Sequence, residues 1–264
     1  MAALRHYLLA LQFFTRIPVT GRLAAWVGYS PAMLNASAGH FPGVGWVVGA
    51  AGAAVLWLAA LRLPAGALGA LVAAGLSTAA TAWLTGAFHE DGLADTCDAL
   101  GGQVSRERAL EIMKDSRIGS YGTLALVLAL GLKLALLALL LQRGVAGAAA
   151  ALLAAHVLSR LAPLAVMRVL PYITEGPQAK SKPLADAVSG TSVVTSVLWS
   201  IPALALMGWS QGATETTVAM ALWALTLMAV LRWLRRRLQG FTGDTLGATQ
   251  QLCELALYLG LALA

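Results

Sequence analysis

The sequence predicts an all-α fold: a polytopic integral membrane helix bundle with about seven transmembrane helices, an amphipathic N-terminal helix and a cytoplasmic acidic helical loop. Three observations carry this. First, 59% of the 264 residues are hydrophobic and 11% are charged, against about 25% charged in an ordinary soluble domain. Too few polar side chains remain to cover a globule in water, which excludes a disordered or collagen-like chain and argues against a soluble enzyme. Second, apolar runs of about 20 residues, the length that crosses a hydrocarbon core, recur along the chain. Third, the basic residues are distributed unevenly between the segments joining those runs.

Taken in order, residues 1–14 carry Arg5 and His6 ahead of a short apolar run, and no small-residue cleavage site follows. This segment reads as a retained helix lying in the membrane interface. Spans are expected over 41–61, 63–88, 122–142, 144–170, 188–209, 213–234 and 245–264. Gly45 and Gly49 in the first have the spacing that lets helices approach closely. The last is the least apolar, with Gln250, Gln251 and Glu254 in its first half. No internal repeat or soluble domain interrupts the chain, so 1–264 reads as a single membrane-embedded catalytic domain. Cys97 and Cys253 stand far apart without ligand spacing, giving neither a disulfide framework nor a zinc motif.

With the N-terminus inside, the cytoplasmic segments hold Arg5, Arg16, Arg22, Arg106, Arg108, Lys114, Arg117, Arg168, Lys180, Lys182, Arg232, Arg235, Arg236 and Arg237. The opposite side holds Arg62 and Arg143. This is the positive-inside asymmetry, and it accounts for the net charge of +6 without any nucleic-acid partner. The run from Arg232 to Arg237 reads as topogenic or as a contact for anionic membrane lipid. Lys133 and Arg160 fall inside spans, where a lone charge costs on the order of 3 kcal/mol. Lys133 is therefore expected in a structural ion pair, and Arg160 in a pairing role or on phosphate.

The acids gather in one place. Glu90, Asp91, Asp95, Asp98, Glu107, Glu111 and Asp115 all lie in the polar loop 89–121. On a helix, Asp91, Asp95 and Asp98 are i, i+4 and i+7 and share one face, an arrangement whose repulsion something positive must offset. Gly101 and Gly102 break that helix, and Ser105 is placed to cap a second one over 106–116, on which Glu111 and Asp115 are again i, i+4. The two helices facing each other would bring up to five carboxylates into one cleft at the membrane surface. Mg²⁺ takes oxygen ligands and commonly bridges carboxylates to substrate phosphates, so the cluster, with Arg and Lys nearby, points to diphosphate chemistry. The plainer reading is a solvated loop whose acids pair with its own bases.

The string from Phe88 to Asp98 (FHEDGLADTCD), Glu107-Arg108, and the run from Ile112 to Gly122 (IMKDSRIGSYG) resemble the cobalamin synthase family, adenosylcobinamide-GDP ribazoletransferase. Further matches are Phe14 to Val19, Phe41 to Gly45, and Gly243 to Ala248 with Glu254 downstream, so the resemblance spans the chain. Ala99 and Gln251 depart from it, standing where Gly and Glu are usual, and the 175–187 loop with Lys180 and Lys182 matches loosely.

The resemblance implies a Mg²⁺-dependent phosphotransferase of the bacterial inner membrane, multi-pass, with its active site facing the cytoplasm. It would join α-ribazole, or its 5′-phosphate, to adenosylcobinamide-GDP and release GMP, the last step of nucleotide loop assembly in vitamin B12 biosynthesis.

On this reading Asp91, Asp95, Asp98 and Asp115 are the expected metal ligands, and with Glu111 the expected catalytic group, one of them taking the hydroxyl proton. Arg16, Arg117 and Arg160 are expected on phosphates, because guanidinium groups bind phosphate through two parallel bonds. His89 is read either as a hydrogen-bond partner behind a ligand carboxylate or as a cap on the preceding span. Asp244 opens the last span on the side of the acidic loop and is expected in the same cleft, with Glu254 about 15 Å deeper. Two other functions fit part of the sequence. A CDP-alcohol phosphotransferase has a motif overlapping Asp91-Gly92, but Asp95 stands where that motif has Arg. An ion-coupled transporter would use Lys133, Arg160 and Glu254. The glycine-rich spans permit homo-oligomerisation.

Overall fold

The computed structural model describes residues 1–173 and 188–264. The 175–187 loop, with Lys180 and Lys182, lies outside the described residues. Among the described residues the regular structure is helical, apart from one isolated bridge between Tyr172 and Phe241. After α1 (Ala2–Phe14) come two short helices, α2 (Gly21–Val27) and α3 (Pro31–Ser37), and a single 3₁₀ turn (Ala38–His40). Then follow α4 (Phe41–Arg62), α5 (Ala67–Thr85), α6 (Phe88–Gly101), α7 (Arg106–Ile112), α8 (Ser120–Arg143), α9 (Val145–Ser159) and α10 (Ala162–Val169). The chain closes with α11 (Gly190–Gln211), α12 (Ala213–Arg237) and α13 (Gly243–Leu263).

Among the described residues, six helical segments are long and apolar enough to cross a membrane: Pro31–Arg62, Ala67–Thr85, Ser120–Arg143, Val145–Val169, Gly190–Gln211 and Ala213–Arg237. The seventh expected span forms a 21-residue helix, α13, but falls outside this set. Its polar residues are tolerated because it runs inside the bundle, buried over most of the length from Thr245 to Leu261. It starts with a capping box: Thr242 Oγ1 accepts from Thr245 N, and Thr245 Oγ1 accepts from Thr242 N. At its far end Arg143, which closes α8, donates to the carbonyls of Leu261 and Ala262 at 2.8 and 2.7 Å. The expected single span over 144–170 is divided by a turn at Arg160-Leu161, with Pro163 in the first turn of α10.

Small residues set the helix crossings. A β-carbon on Gly45 would strike the backbone of His156 and Val157, and one on Gly49 would stand 2.9 Å from the Leu153 Cα. The Gly45/Gly49 pair thus seats α4 directly on α9, in the manner of small-residue packing in lipid.

At the acidic end, two arginines clasp α6 to the end of α12. Arg237 donates to the carbonyls of Leu100 and Gly102 at 2.9 and 2.7 Å, and Arg106 Nε donates to Leu238 O at 2.7 Å. Part of the basic run from Arg232 to Arg237 therefore closes the C-terminal end of α6, whose last carbonyls would otherwise lack partners.

Candidate active site

The acidic helix forms where the sequence places it. Gly86 ends α5 in the left-handed conformation (φ 67°), Ala87 follows with φ 57°, and α6 begins at Phe88. This tight reversal turns the chain so that Glu90, Leu93 and Ala94 face the bundle while Asp91 is exposed and Asp95 and Asp98 are half-buried. Ser105 Oγ accepts from Arg108 N and starts α7, as expected. That helix stops at Ile112 instead of 116, because the Asp115 side chain turns the chain by accepting from Arg117 N at 3.1 Å.

Opposite α6 stands the start of α13, not α7. The helices touch at glycines: a β-carbon on Gly92 would lie 2.7 Å from Asp244 O, and one on Gly247 would lie 3.3 Å from the His89 backbone. Asp244 is thereby brought to the exposed face of α6. The electrostatics report the convergence. Burial, and then the negative charges of Asp91, Asp244 and Asp98, push the Asp95 carboxyl up to about 7. Burial and Asp91 push Asp244 up to about 6, against a backbone hydrogen bond that pulls it down. Carboxylates that raise one another in this way lack a positive charge between them.

The other expected site residues divide. Both carboxylate oxygens of Asp98 cap the start of α8, accepting from Gly119 N at 2.7 Å and Gly122 N at 2.8 Å. Glu111 and Asp115 do not join the groups that raise Asp95. Glu111 pairs with Arg108 at 2.8 Å on the exposed side of α7. Asp115 is held by Arg117 at 2.6 Å, a pairing that pulls its carboxyl down to about 2. In place of the expected five-carboxylate cleft between α6 and the 106–116 helix, the mutually raised carboxylates are those of α6 and of Asp244 at the start of α13. The clasp of Arg106 and Arg237 fixes where α7 leaves α6, and its acids face outward.

Arg16 lies beside α6. Its backbone N donates to Leu84 O at 2.7 Å, and its guanidinium lies over Gly86, where a β-carbon would stand 3.2 Å from Nε. Gly86 immediately precedes Ala87, whose carbonyl accepts from Asp91 N in the first turn of α6, so Arg16 stands at the start of the acidic helix. His89 turns the other way. It is buried and stacked on Phe14 with ring centroids 5.6 Å apart, and burial, reinforced by the charge of Arg160, holds its imidazole well below the usual range. Arg160 is also enclosed, its Nη1 donating to His156 O at 2.7 Å. Both line a cavity of about 50 Å³ walled by Phe13, Phe14, Phe41, Phe88, Tyr172 and Phe241, behind the acidic face of α6.

Lys133 takes the structural role expected of it, meeting Glu254 at 2.7 Å with both side chains buried. Sequence reasoning missed Glu90, which accepts from Gln251 Nε2 at 3.2 Å. Its signal was the spacing to Leu93 and Ala94, three and four positions on, which marks an inward face.

Among the described residues no three His, Cys, Asp or Glu side chains close around a point as a complete ligand cage does. The donors are nonetheless of the kind Mg²⁺ takes: oxygen only, partly buried and mutually repelling, and Mg²⁺ commonly completes its shell with water and substrate phosphate oxygens.

The chain matches the family described as cobalamin-5-phosphate synthase over residues 6–262. It belongs to the cobalamin-5-phosphate synthase family. Relatives named adenosylcobinamide-GDP ribazoletransferase include one from Polaromonas naphthalenivorans, 56% identical over 99% of this chain and 98% of the relative. Another, from Leptothrix cholodnii, is 53% identical over 98% and 97%, and one from Vibrio cholerae is 40% identical over 98% and 95%. No solved structure matches the chain. Membership of the cobalamin-5-phosphate synthase family sets aside the CDP-alcohol phosphotransferase and the transporter, and two of the intramembrane charges that prompted the latter, Lys133 and Glu254, pair with one another.

Proposed function

We propose that the protein is an adenosylcobinamide-GDP ribazoletransferase whose chemistry takes place between α6 and the start of α13. The 3′-hydroxyl of α-ribazole, or of its 5′-phosphate, attacks the cobinamide-side phosphorus of adenosylcobinamide-GDP. A phosphorus–oxygen bond forms to the ribose, the bond to the GMP phosphate breaks, and GMP leaves. The observation that carries the reading is the meeting of Asp91, Asp95 and Asp244 on one open face in a chain of this family.

Asp91 and Asp244 would hold Mg²⁺, with Asp98 behind them on its remaining lone pairs. The ion, when bound, neutralises the diphosphate and makes GMP a better leaving group. Asp95, between the ligand carboxylates and not itself one of them, would accept the ribose proton. Arg16, beside the start of α6, and Arg117, at the rim, bind phosphate oxygens. Asp115 holds the Arg117 fork in place, and Glu111 does the same for Arg108. Orientation follows the basic residues, with this face in the cytoplasm of a bacterial inner membrane.

The test is turnover by the purified protein in lipid vesicles, given adenosylcobinamide-GDP, α-ribazole and Mg²⁺. GMP and a cobalamin are expected in equal amounts. Failure to form either, with the protein inserted and folded, contradicts the reading.

A further inference from the structure

A second, wholly buried polar site lies behind the acidic helix. Glu254 sits at its centre: Oε1 meets Lys133 Nζ at 2.7 Å and accepts from Tyr258 at 3.1 Å, while Oε2 accepts from Gln250 at 2.7 Å. Gln251 passes the chain of bonds from Gln250 to Glu90 of α6. Beside this chain is a cavity of about 10 Å³ lined by Val48, Thr81, Glu90, His156, Arg160 and Glu254, among others.

Three side-chain atoms of that lining have no hydrogen-bond partner among the described residues: Glu90 Oε2, His156 Nε2 and Arg160 Nε. Their residues are 9%, 3% and 3% exposed. Unsatisfied polar atoms buried this deeply are rare in native proteins, and a polar cavity of this volume is about the least that holds one water molecule.

The donors and acceptors define the occupant. Arg160 Nε–H can only donate. His156 Nδ1 lies 3.2 Å from Arg160 Nη1, a donor, and 3.5 Å from Glu254 Oε2, an acceptor; the shorter contact assigns Nδ1 as the acceptor and places the hydrogen on Nε2. Glu90 Oε2 accepts. A cation would face two N–H donors, one on a guanidinium, and an anion would face a carboxylate. A small neutral molecule that accepts twice and donates once meets all three.

We infer that this cavity is a specific site for one internal water, accepting from Arg160 Nε and His156 Nε2 and donating to Glu90 Oε2. The water joins the end of α9 to α6 at the residue next to Asp91, a second link beside the Gln250–Gln251 chain that runs from Glu254 to Glu90. It is independent of which reaction the cleft performs.

The test is a structure of the full protein in lipid at a resolution that shows ordered solvent, for the wild type and for Glu90→Gln. In the wild type a single density peak is expected within about 2.7–3.2 Å of all three atoms. In the variant Gln251 claims the amide oxygen and the NH₂ turns toward the cavity, presenting a third donor that water cannot accept. The peak is then expected to disappear or move off Glu90. No peak in the wild type, direct bonding of Glu90 to Arg160, or a peak unchanged in the variant would each overturn the inference.

Discussion

Asp244 lies across Gly92 so closely that a β-carbon on Gly92 would stand 2.7 Å from the Asp244 carbonyl oxygen. The obstacle is backbone, not a side-chain end that can swing away, so α6 and α13 meet at this distance only because position 92 has no side chain. Gly92→Ala is expected to separate Asp244 from Asp91 and Asp95. GMP release should fall by about 10²-fold, the effect of misplacing reacting groups by roughly 1 Å, with helix content by circular dichroism unchanged. Gly247→Ala, whose β-carbon would meet the His89 backbone at 3.3 Å, should have the smaller effect.

Asp95→Asn should stabilise the protein while disabling it. The Asp95 carboxyl is raised from 3.8 to about 7. A raised carboxyl favours the folded state at low pH, and that contribution is lost as pH rises through the folded value. The wild type therefore loses stability between about pH 4 and 7, and the variant, which does not titrate, does not. Above pH 7 the variant should melt higher, by about 2–4 °C after allowing for solvent screening. Thermal unfolding in detergent without added divalent ions measures this.

The same carboxyl couples cation binding to pH. Below about 7 Asp95 takes up a proton, and below about 6 so does Asp244, so Mg²⁺ affinity should rise with pH through this range and level off above about 7. Asp95→Asn should flatten the profile. Calorimetric titration from pH 5.5 to 8.5 reads both.

The buried pair of Lys133 and Glu254, 2.7 Å apart, should reveal itself in a double-mutant cycle. Lys133→Met alone removes the ion partner of a buried carboxylate and should cost about 3–5 kcal/mol. Adding Glu254→Gln should recover a large part, since Gln can keep bonds to Tyr258 and Gln250. Unfolding midpoints of the four proteins are the readout.

Much of this arrangement was legible in the sequence. The three-four spacing of the Asp residues, the Gly101-Gly102 break and the Ser105 cap fixed α6 and the start of α7, and the apolar runs located the six segments long and apolar enough to cross a membrane. Asp244 could be assigned to the acidic side by counting spans. What could not be read was which helix would face α6, since that depends on Gly92 meeting Asp244, 152 positions away in the sequence. The outward turn of Glu111 and Asp115 was hidden for a similar reason: Arg106 and Arg237 position α7 through carbonyls more than a hundred residues distant. The inner placement of α13 was obscured by its own Gln250, Gln251 and Glu254, which look unsuited to a span until their partners Ser159, Glu90 and Lys133 are in place.

The central claim is that Asp91, Asp95 and Asp244 act together at the phosphorus. The most direct test is GMP release by Asp91→Ala, Asp95→Ala and Asp244→Ala proteins in lipid vesicles, each checked for membrane insertion and a cooperative melt. Each should lose about 10²–10⁴-fold in turnover, whereas Glu111→Ala should stay within about threefold of the wild type, as expected of an exposed helix pair worth a few tenths of a kcal/mol. Near wild-type turnover in all three Asp variants would contradict the account.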